Sequence, residues 1–289
     1  MNVGLQQFIS NQLSIGGARF ISIGGGSIND TYRIESSEFN FFCKSNSAKK
    51  FPGLFEKEKN GLEFLRNTCA IRVPGIVWCG TFDDKQILIL EWIEQGLRTD
   101  AFWKKFGKEL AALHSFDRDG PTINGFPENN FMGALPQDNT PSNNWVDFFI
   151  ERRLKPQIAL ALQNRLLAQK ELNLFEQLYK RLDTFFPTER PAALHGDLWS
   201  GNYLCGSNSD AVLIDPAVYY GHRSMDLGMT KLFGGFDDTF YEAYDYHFPL
   251  PKNADEQADI CNLYPLLIHL NLFGSGYLGS IVSILKRYT

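Results

Sequence analysis

Residues 195–215 constrain this chain more than any other stretch. They begin His195-Gly196-Asp197-Leu198-Trp199-Ser200-Gly201-Asn202 and end on Asp215 in the segment AVLIDP, with two short apolar runs between. The runs flank Gly206-Ser207-Asn208-Ser209-Asp210, a composition that marks a turn. Residues 202–205 and 211–215 are therefore expected to pair as a hairpin turning near Asn208 and Ser209. Asn202 and Asp215 are equidistant from that point, so the hairpin should set them opposite each other. An amide oxygen and a carboxylate at the open end of a ribbon make a two-ligand site for Mg²⁺, with coordination positions left for phosphate oxygens.

The first ninety residues carry a different pattern. RFISI, TYRIE and FNFFCKS read as three antiparallel strands, with Gly24-Gly25-Gly26-Ser27 between the first two. FEKEKNGLEFLRN places apolar residues at helical spacing, and the stretches 74–80 and 86–92 supply two further strands. From Asp100 the periodicity turns helical, is interrupted over residues 120–144 by a loop rich in Gly, Pro, Asn and Gln, and resumes over 145–182. A β-rich lobe over residues 1–93 followed by a mostly helical lobe over 94–289, joined by one strand-like connection, implies an α+β bilobal fold with a cleft between the lobes.

An Asp followed five residues later by an Asn is the spacing of the kinase catalytic loop, where the Asp accepts the substrate hydroxyl proton and the Asn holds a metal. Asp197 and Asn202 fit those roles, and Asp215 supplies the second metal ligand. Upstream, glycine N–H groups at 24–26 and Ser27 can approach a triphosphate closely, although a plain hairpin turn is the more common use of such a run. Lys44 on a strand and Glu58 on the following helix match the pair that holds and orients ATP phosphates. Exposed charges on a solvated face would look the same in isolation, but their order along the chain favours the pair. In the connector ILILEWIE, the Glu91 carbonyl and the Ile93 N–H could meet an adenine edge. The fold expected is thus protein-kinase-like, using ATP and Mg²⁺.

Several longer segments resemble the fructosamine (ketosamine) kinase family, a relative of aminoglycoside phosphotransferases and choline kinases. They are HGDLWSGN at 195–202, IDPAVYYGHRSMDLGMTKLFGGF at 214–236, NNFMGALPQDN at 129–139, WVDFFIERRLKPQ at 145–157 and LLIHLNLFGSGY at 266–277. The resemblance implies ATP-dependent phosphorylation of a hydroxyl, typically O3, on a free or protein-bound ketosamine, yielding an unstable adduct that releases the amine. It makes Asp197 the base, Asn202 and Asp215 the Mg²⁺ ligands, and Lys44 with Glu58 the phosphate-positioning pair. Trp199 would stack on the sugar or its amine unless it is a core aromatic. His269 and Asn271 would meet sugar hydroxyls unless they are satisfied by backbone. Asp226 would brace the catalytic loop. Ser27 stands where some relatives carry a cysteine, and the reading GHRSMD in place of GDREVD leaves the role of His222 open.

Composition narrows the classes further. The net charge of −5, from 28 basic and 33 acidic residues, comes with no dense Lys/Arg block, which argues against nucleic-acid or anionic membrane partners. Five cysteines without a C-x-x-C pair read as reduced thiols of a cytoplasmic protein. The N-terminus shows no secretory leader, and residues 263–285, broken by His269, Asn271 and glycines, read as buried helix rather than a membrane span. A kinase for an aminoglycoside, choline or homoserine would share the catalytic loop and remains the alternative. A nucleotide-binding interaction module is disfavoured because every residue that phosphoryl transfer needs is present.

Overall fold

Period-two alternation gives the N-terminal sheet two apolar faces, and each face is covered by its own helix. The computed structural model describes residues 1–24, 28–116, 120 and 122–289. In it, α1 (Val3–Leu13) precedes β1 (Arg19–Ser22), β2 (Asp30–Glu35) and β3 (Asn40–Ser47); α2 (Leu54–Asn67) then leads to β4 (Ile76–Phe82) and β5 (Lys85–Glu91). The strands form one antiparallel sheet in the order β1-β2-β3-β5-β4. Tyr32, Ile34, Cys43, Ile87 and Ile89 face α1, where they cluster with Leu5 and Ile9. Leu88 and Leu90 point the other way and join Leu54, Phe55, Leu62 and Leu65 of α2.

The sequence reading contained no counterpart of α1. Asn2 caps it by accepting the Leu5 N–H at 2.8 Å, and Phe8 stacks on Phe82 with ring centroids 4.5 Å apart. The Asn2 cap is local, but a helix this short depends on packing such as the Phe8–Phe82 stack, which is tertiary and has no trace in local periodicity.

The helical lobe begins with α3 (Asp100–His114), followed by the hairpin β6 (Asn130–Met132) and β7 (Leu135–Gln137). Next come α4 (Trp145–Phe148), a π-helical turn over Phe149–Leu154, α5 (Lys155–Gln163), α6 (Gln169–Tyr179) and α7 (Leu182–Phe185). The catalytic stretch contributes β8 (Ala192–Leu194), β9 (Tyr203–Cys205), β10 (Ala211–Leu213) and β11 (Tyr219–Gly221). Helices α8 (Ser224–Lys231), α9 (Asp238–His247), α10 (Ala254–Cys261), α11 (Leu263–Phe273) and α12 (Leu278–Tyr288) complete the chain. The single buried helix expected over 263–285 is two helices, divided at Gly274, whose φ of +94° ends α11. Among the described residues no helix is long and apolar enough to cross a membrane.

Part of the loop expected over residues 120–144 is the β6–β7 hairpin, and a buried cation holds the chain just after it. Arg153 sits on the Tyr219 ring at 4.0 Å and donates to the Asp138 carbonyl at 2.5 Å and to Asn139 Oδ1 at 2.7 Å. Arg72 bonds Glu91 at the end of β5 (2.5 Å) and Asp210 beside β10 (2.7 Å), and the Gly96 N–H donates to the Cys205 carbonyl at 2.8 Å. The connection between lobes is thus stitched directly to the β9–β10 hairpin.

Candidate active site

The catalytic loop leaves β8 and is shaped by one glycine. Gly196 has φ +84°, and a Cβ there would lie 2.1 Å from the Ala217 carbonyl oxygen, so no other residue fits. Asp226, fully buried at the start of α8, accepts the His195 N–H and the Gly196 N–H, each at 2.8 Å. His114 Nε2 lies 3.2 Å from the same carboxylate, and its Nδ1 meets the Tyr244 hydroxyl at 2.8 Å. The His195 ring is buried; Nε2–H donates to the Ile214 carbonyl at 2.9 Å, which leaves Nδ1 to accept the Asp197 N–H at 3.3 Å. Burial holds the His195 pKa below its ordinary value, consistent with this neutral tautomer.

Asp197 therefore stands on a loop braced from beneath. Its carboxylate accepts a hydrogen bond from Asn202 Nδ2 at 3.0 Å. Burial, reinforced by the nearby Asp215 charge and opposed by Asn202, raises its pKa to about 7.

The hairpin forms, but its register differs from the expected one. Cys205 pairs with Ala211 and Tyr203 with Leu213, and the Ile214 N–H donates to the Asn202 carbonyl at 3.0 Å. Asn202 thus faces Ile214 rather than Asp215. The cause is the loop: Gly206 and Asp210 close it, and three residues with Ser209 left-handed (φ +54°) replace a two-residue turn. Asp215 lies one residue beyond the pair, itself in the left-handed region at φ +56°.

Lys44 and Glu58 come to the same place from the other lobe. Lys44 shares the sheet face of Phe42, and Glu58 lies one turn before Leu62 on the buried side of α2. Lys44 Nζ donates to Glu58 Oε1 at 2.8 Å and also to Asp215 Oδ1. Burial opposes the ammonium, but Asp215 and then Glu58 outweigh it and hold the Lys44 pKa above the lysine range. Burial lifts Glu58 in turn, against the pull of Lys44.

These five residues open onto one cavity of about 380 Å³ between the lobes, which Gly24, Trp199 and His269 also line. Gly25, Gly26 and Ser27 lie outside the described residues. Glu91 and Ile93 do not line the cavity; the Glu91 N–H is taken by the Gly75 carbonyl at 2.7 Å, and its carboxylate by Arg72 and the Gly75 N–H. Asn271 is also elsewhere, its amide donating to the carbonyl and side chain of Gln157 (2.9 and 3.0 Å), which ties α11 to α5. His269 and Asn271 are two residues apart on α11, so the helix turns them to opposite sides and only one of them can face the cavity. Sequence reasoning did not single out several lining residues, among them Lys57, which pairs with Glu128, and Asn130, which falls in the 129–139 segment and whose amide donates to the Val218 carbonyl. His222, left open above, packs between Trp145 and Phe186 beneath the β8–β11 ribbon.

The donor set suits a hard cation held jointly with phosphate. Among the described residues no group of three or more His, Cys, Asp or Glu side chains forms a closed metal cage. One carboxylate and one amide oxygen beside a lysine are what Mg²⁺ on a nucleotide requires, since it keeps most of its shell for phosphate and water.

A five-stranded sheet over a helical lobe, with a buried Lys–Glu pair facing an Asp, Asn and Asp set, defines a phosphotransferase of the protein-kinase-like class. The comparisons with known proteins agree. The chain belongs to the fructosamine kinase family, whose model matches residues 4–289. It is 38% identical over 266 residues to a probable ketoamine kinase of Synechocystis sp., covering 92% of this chain and 88% of that one. It is 35% identical over 271 residues to the chloroplastic protein-ribulosamine 3-kinase of Arabidopsis thaliana, covering 92% and 81%. A candidate fructosamine-3-kinase from Thermobifida fusca, 31% identical, matches with a TM-score of 0.86 over 98% of this chain and 97% of that one.

Proposed function

We propose that this protein is an ATP-dependent ketosamine kinase that phosphorylates the O3 hydroxyl of fructosamine- or ribulosamine-type adducts. The observation that carries the reading is the convergence of Asp197, Asn202, Asp215, Lys44 and Glu58 on one cavity from both lobes. The named relatives support the ketosamine as acceptor.

In this reading Asp197 takes the acceptor's hydroxyl proton as that oxygen bonds the γ-phosphorus and the bond to the β–γ bridging oxygen breaks. Lys44, oriented by Glu58, holds the α- and β-phosphates. Asn202 and Asp215 would hold Mg²⁺, which when bound neutralises charge on the phosphate oxygens. Gly24 to Ser27 would cover the triphosphate, and the adenine would have to extend past the lined cavity to meet the Glu91 carbonyl and Ile93 N–H, with the lobes dividing at residue 93. Trp199 and His269 would receive the sugar. The surroundings are those of a cytoplasmic enzyme whose acceptor is a small or protein-bound ketosamine.

The test is ATP consumption by the purified protein with Mg²⁺ against a fructose-amine adduct, a ribulose-amine adduct, an aminoglycoside and choline. Turnover on a ketosamine, abolished in Asp197→Ala, is the expected result. Activity confined to the aminoglycoside or choline would overturn the substrate assignment while keeping the chemistry.

A further inference from the structure

Beyond Trp199 the cavity is lined by His269 and Phe273, and two further rings, Phe233 and Tyr277, pack against these without lining it. Phe233 lies edge-on to Trp199 with centroids 6.3 Å apart and leans on the His269 ring at 4.7 Å. His269 in turn touches Phe273 at 5.4 Å and Tyr277 at 5.1 Å. Phe233 and Phe273 keep 36% and 52% of their surface open, which is unusual for large apolar side chains gathered in one place.

Phe233 is also held in a conformation that glycine would adopt at lower cost. Its φ is +56° and ψ +40°, although Gly234 and Gly235 follow it. Its carbonyl accepts a 3.4 Å hydrogen bond from Ser200 Oγ, on the loop that carries Asp197. A bulky residue kept in the left-handed region beside a reacting centre points to a use for the ring.

The charges decide what that use is. Among the described residues the cavity contains three carboxylates: Glu58 and Asp215, both bonded to Lys44, and Asp197. Among the described residues no other carboxylate lines the cavity. A cation entering there has ring faces to meet, and His269 Nε2, which stays an acceptor because Nδ1–H donates to the Pro265 carbonyl at 2.8 Å.

We propose that Phe233, with His269, Phe273 and Tyr277, receives the amine-bearing arm of the acceptor as a single ammonium, making Phe233 a specificity-determining residue. This rests on the ketosamine reading above and adds which part of the acceptor these rings recognise. One ammonium is matched by ring faces, whereas a polycation would leave its further charges without partners.

The test compares two acceptors with the same sugar, a fructosyl alkylamine and its uncharged N-acyl analogue, in wild type, Phe233→Leu and Phe233→Tyr. Phe233→Leu should raise KM for the charged acceptor about 5- to 10-fold with kcat within about twofold, and leave KM for the neutral one and for ATP within about twofold. Phe233→Tyr should behave as wild type. If Phe233→Leu does not fold, Phe273→Leu is read the same way. Equal shifts for both acceptors, or none, would overturn the proposal. Silence of the wild type on the charged ketosamine would instead sink the ketosamine reading, and this inference with it.

Discussion

Asn202 Nδ2 donates both to the Asp197 carboxylate, at 3.0 Å, and to the Asp197 carbonyl, at 2.8 Å. One amide thus fixes the rotamer of the candidate base and turns its own oxygen away, where a cation could use it. The candidate base and the candidate metal site are coupled through a single side chain.

Replacing Asp197 by Asn keeps the size of the side chain and removes the proton acceptor. We expect kcat to fall by roughly 10²- to 10⁴-fold while the Kd for ATP changes less than about threefold. Steady-state rates and calorimetric nucleotide binding check this together. Full activity in Asp197→Asn would exclude the assigned base.

Glu58→Gln should act on the nucleotide instead. Lys44 would lose one of its two carboxylate partners and its fixed position, so KM for ATP is expected to rise about tenfold with KM for the acceptor little changed. A rise confined to the acceptor would show that the pair does not serve phosphate.

The acid side of the stability profile should carry a signature of His222. Burial, with Arg223 adding to it, lowers its pKa from 6.5 to about 3. Glu189 lies 3.3 Å from Nε2, but its carboxylate is already paired with Arg223 at 2.9 Å, and Nε2 has no hydrogen bond, so the downward direction stands. The unfolded chain takes up a proton below about 6.5 that the folded ring refuses until about pH 3. Stability is therefore lost as pH falls through that window, by about 2 kcal/mol between pH 7.5 and pH 5 from this residue. Melting curves of wild type and His222→Gln at the two pH values measure it; identical slopes would refute it.

Asp226→Asn tests the brace under the loop. An amide presents one acceptor oxygen where the carboxylate serves two backbone N–H groups and His114, so a buried donor is left facing a donor. The cost is on the order of 3 kcal/mol, and Tm should drop by roughly 5–10 °C. Thermal unfolding followed by circular dichroism would show it, and an unchanged Tm would mean that the loop holds itself.

What was legible in the sequence was what depends on neighbours along the chain. The spacing of Asp197 and Asn202, the turn before Asp210 and the period-two strands are local, and all were readable. The hairpin register was missed by one residue because Ser209 takes a left-handed conformation that its side chain does not announce. For Asn271 the helix itself held the answer, since two residues on from His269 it must face the other way; its actual partner, Gln157, is 114 positions distant and could not be read locally. Phe233 was invisible as a site residue because its importance lies in its backbone angle and in rings contributed by α11 and the turn after it.

Between Asp215 and Asp226 the chain has almost no slack. It runs from the hairpin into β11, which pairs Tyr219 with Leu194, and at once into α8, whose Asp226 locks the loop from below. In many protein kinases the corresponding stretch is a long segment whose phosphorylation turns the enzyme on. Here residues 216–226 are buried apart from the half-buried Tyr220, so this stretch offers no free segment for a phosphate to reposition. The expected behaviour is a catalytic loop whose shape does not wait on a modification of residues 216–226.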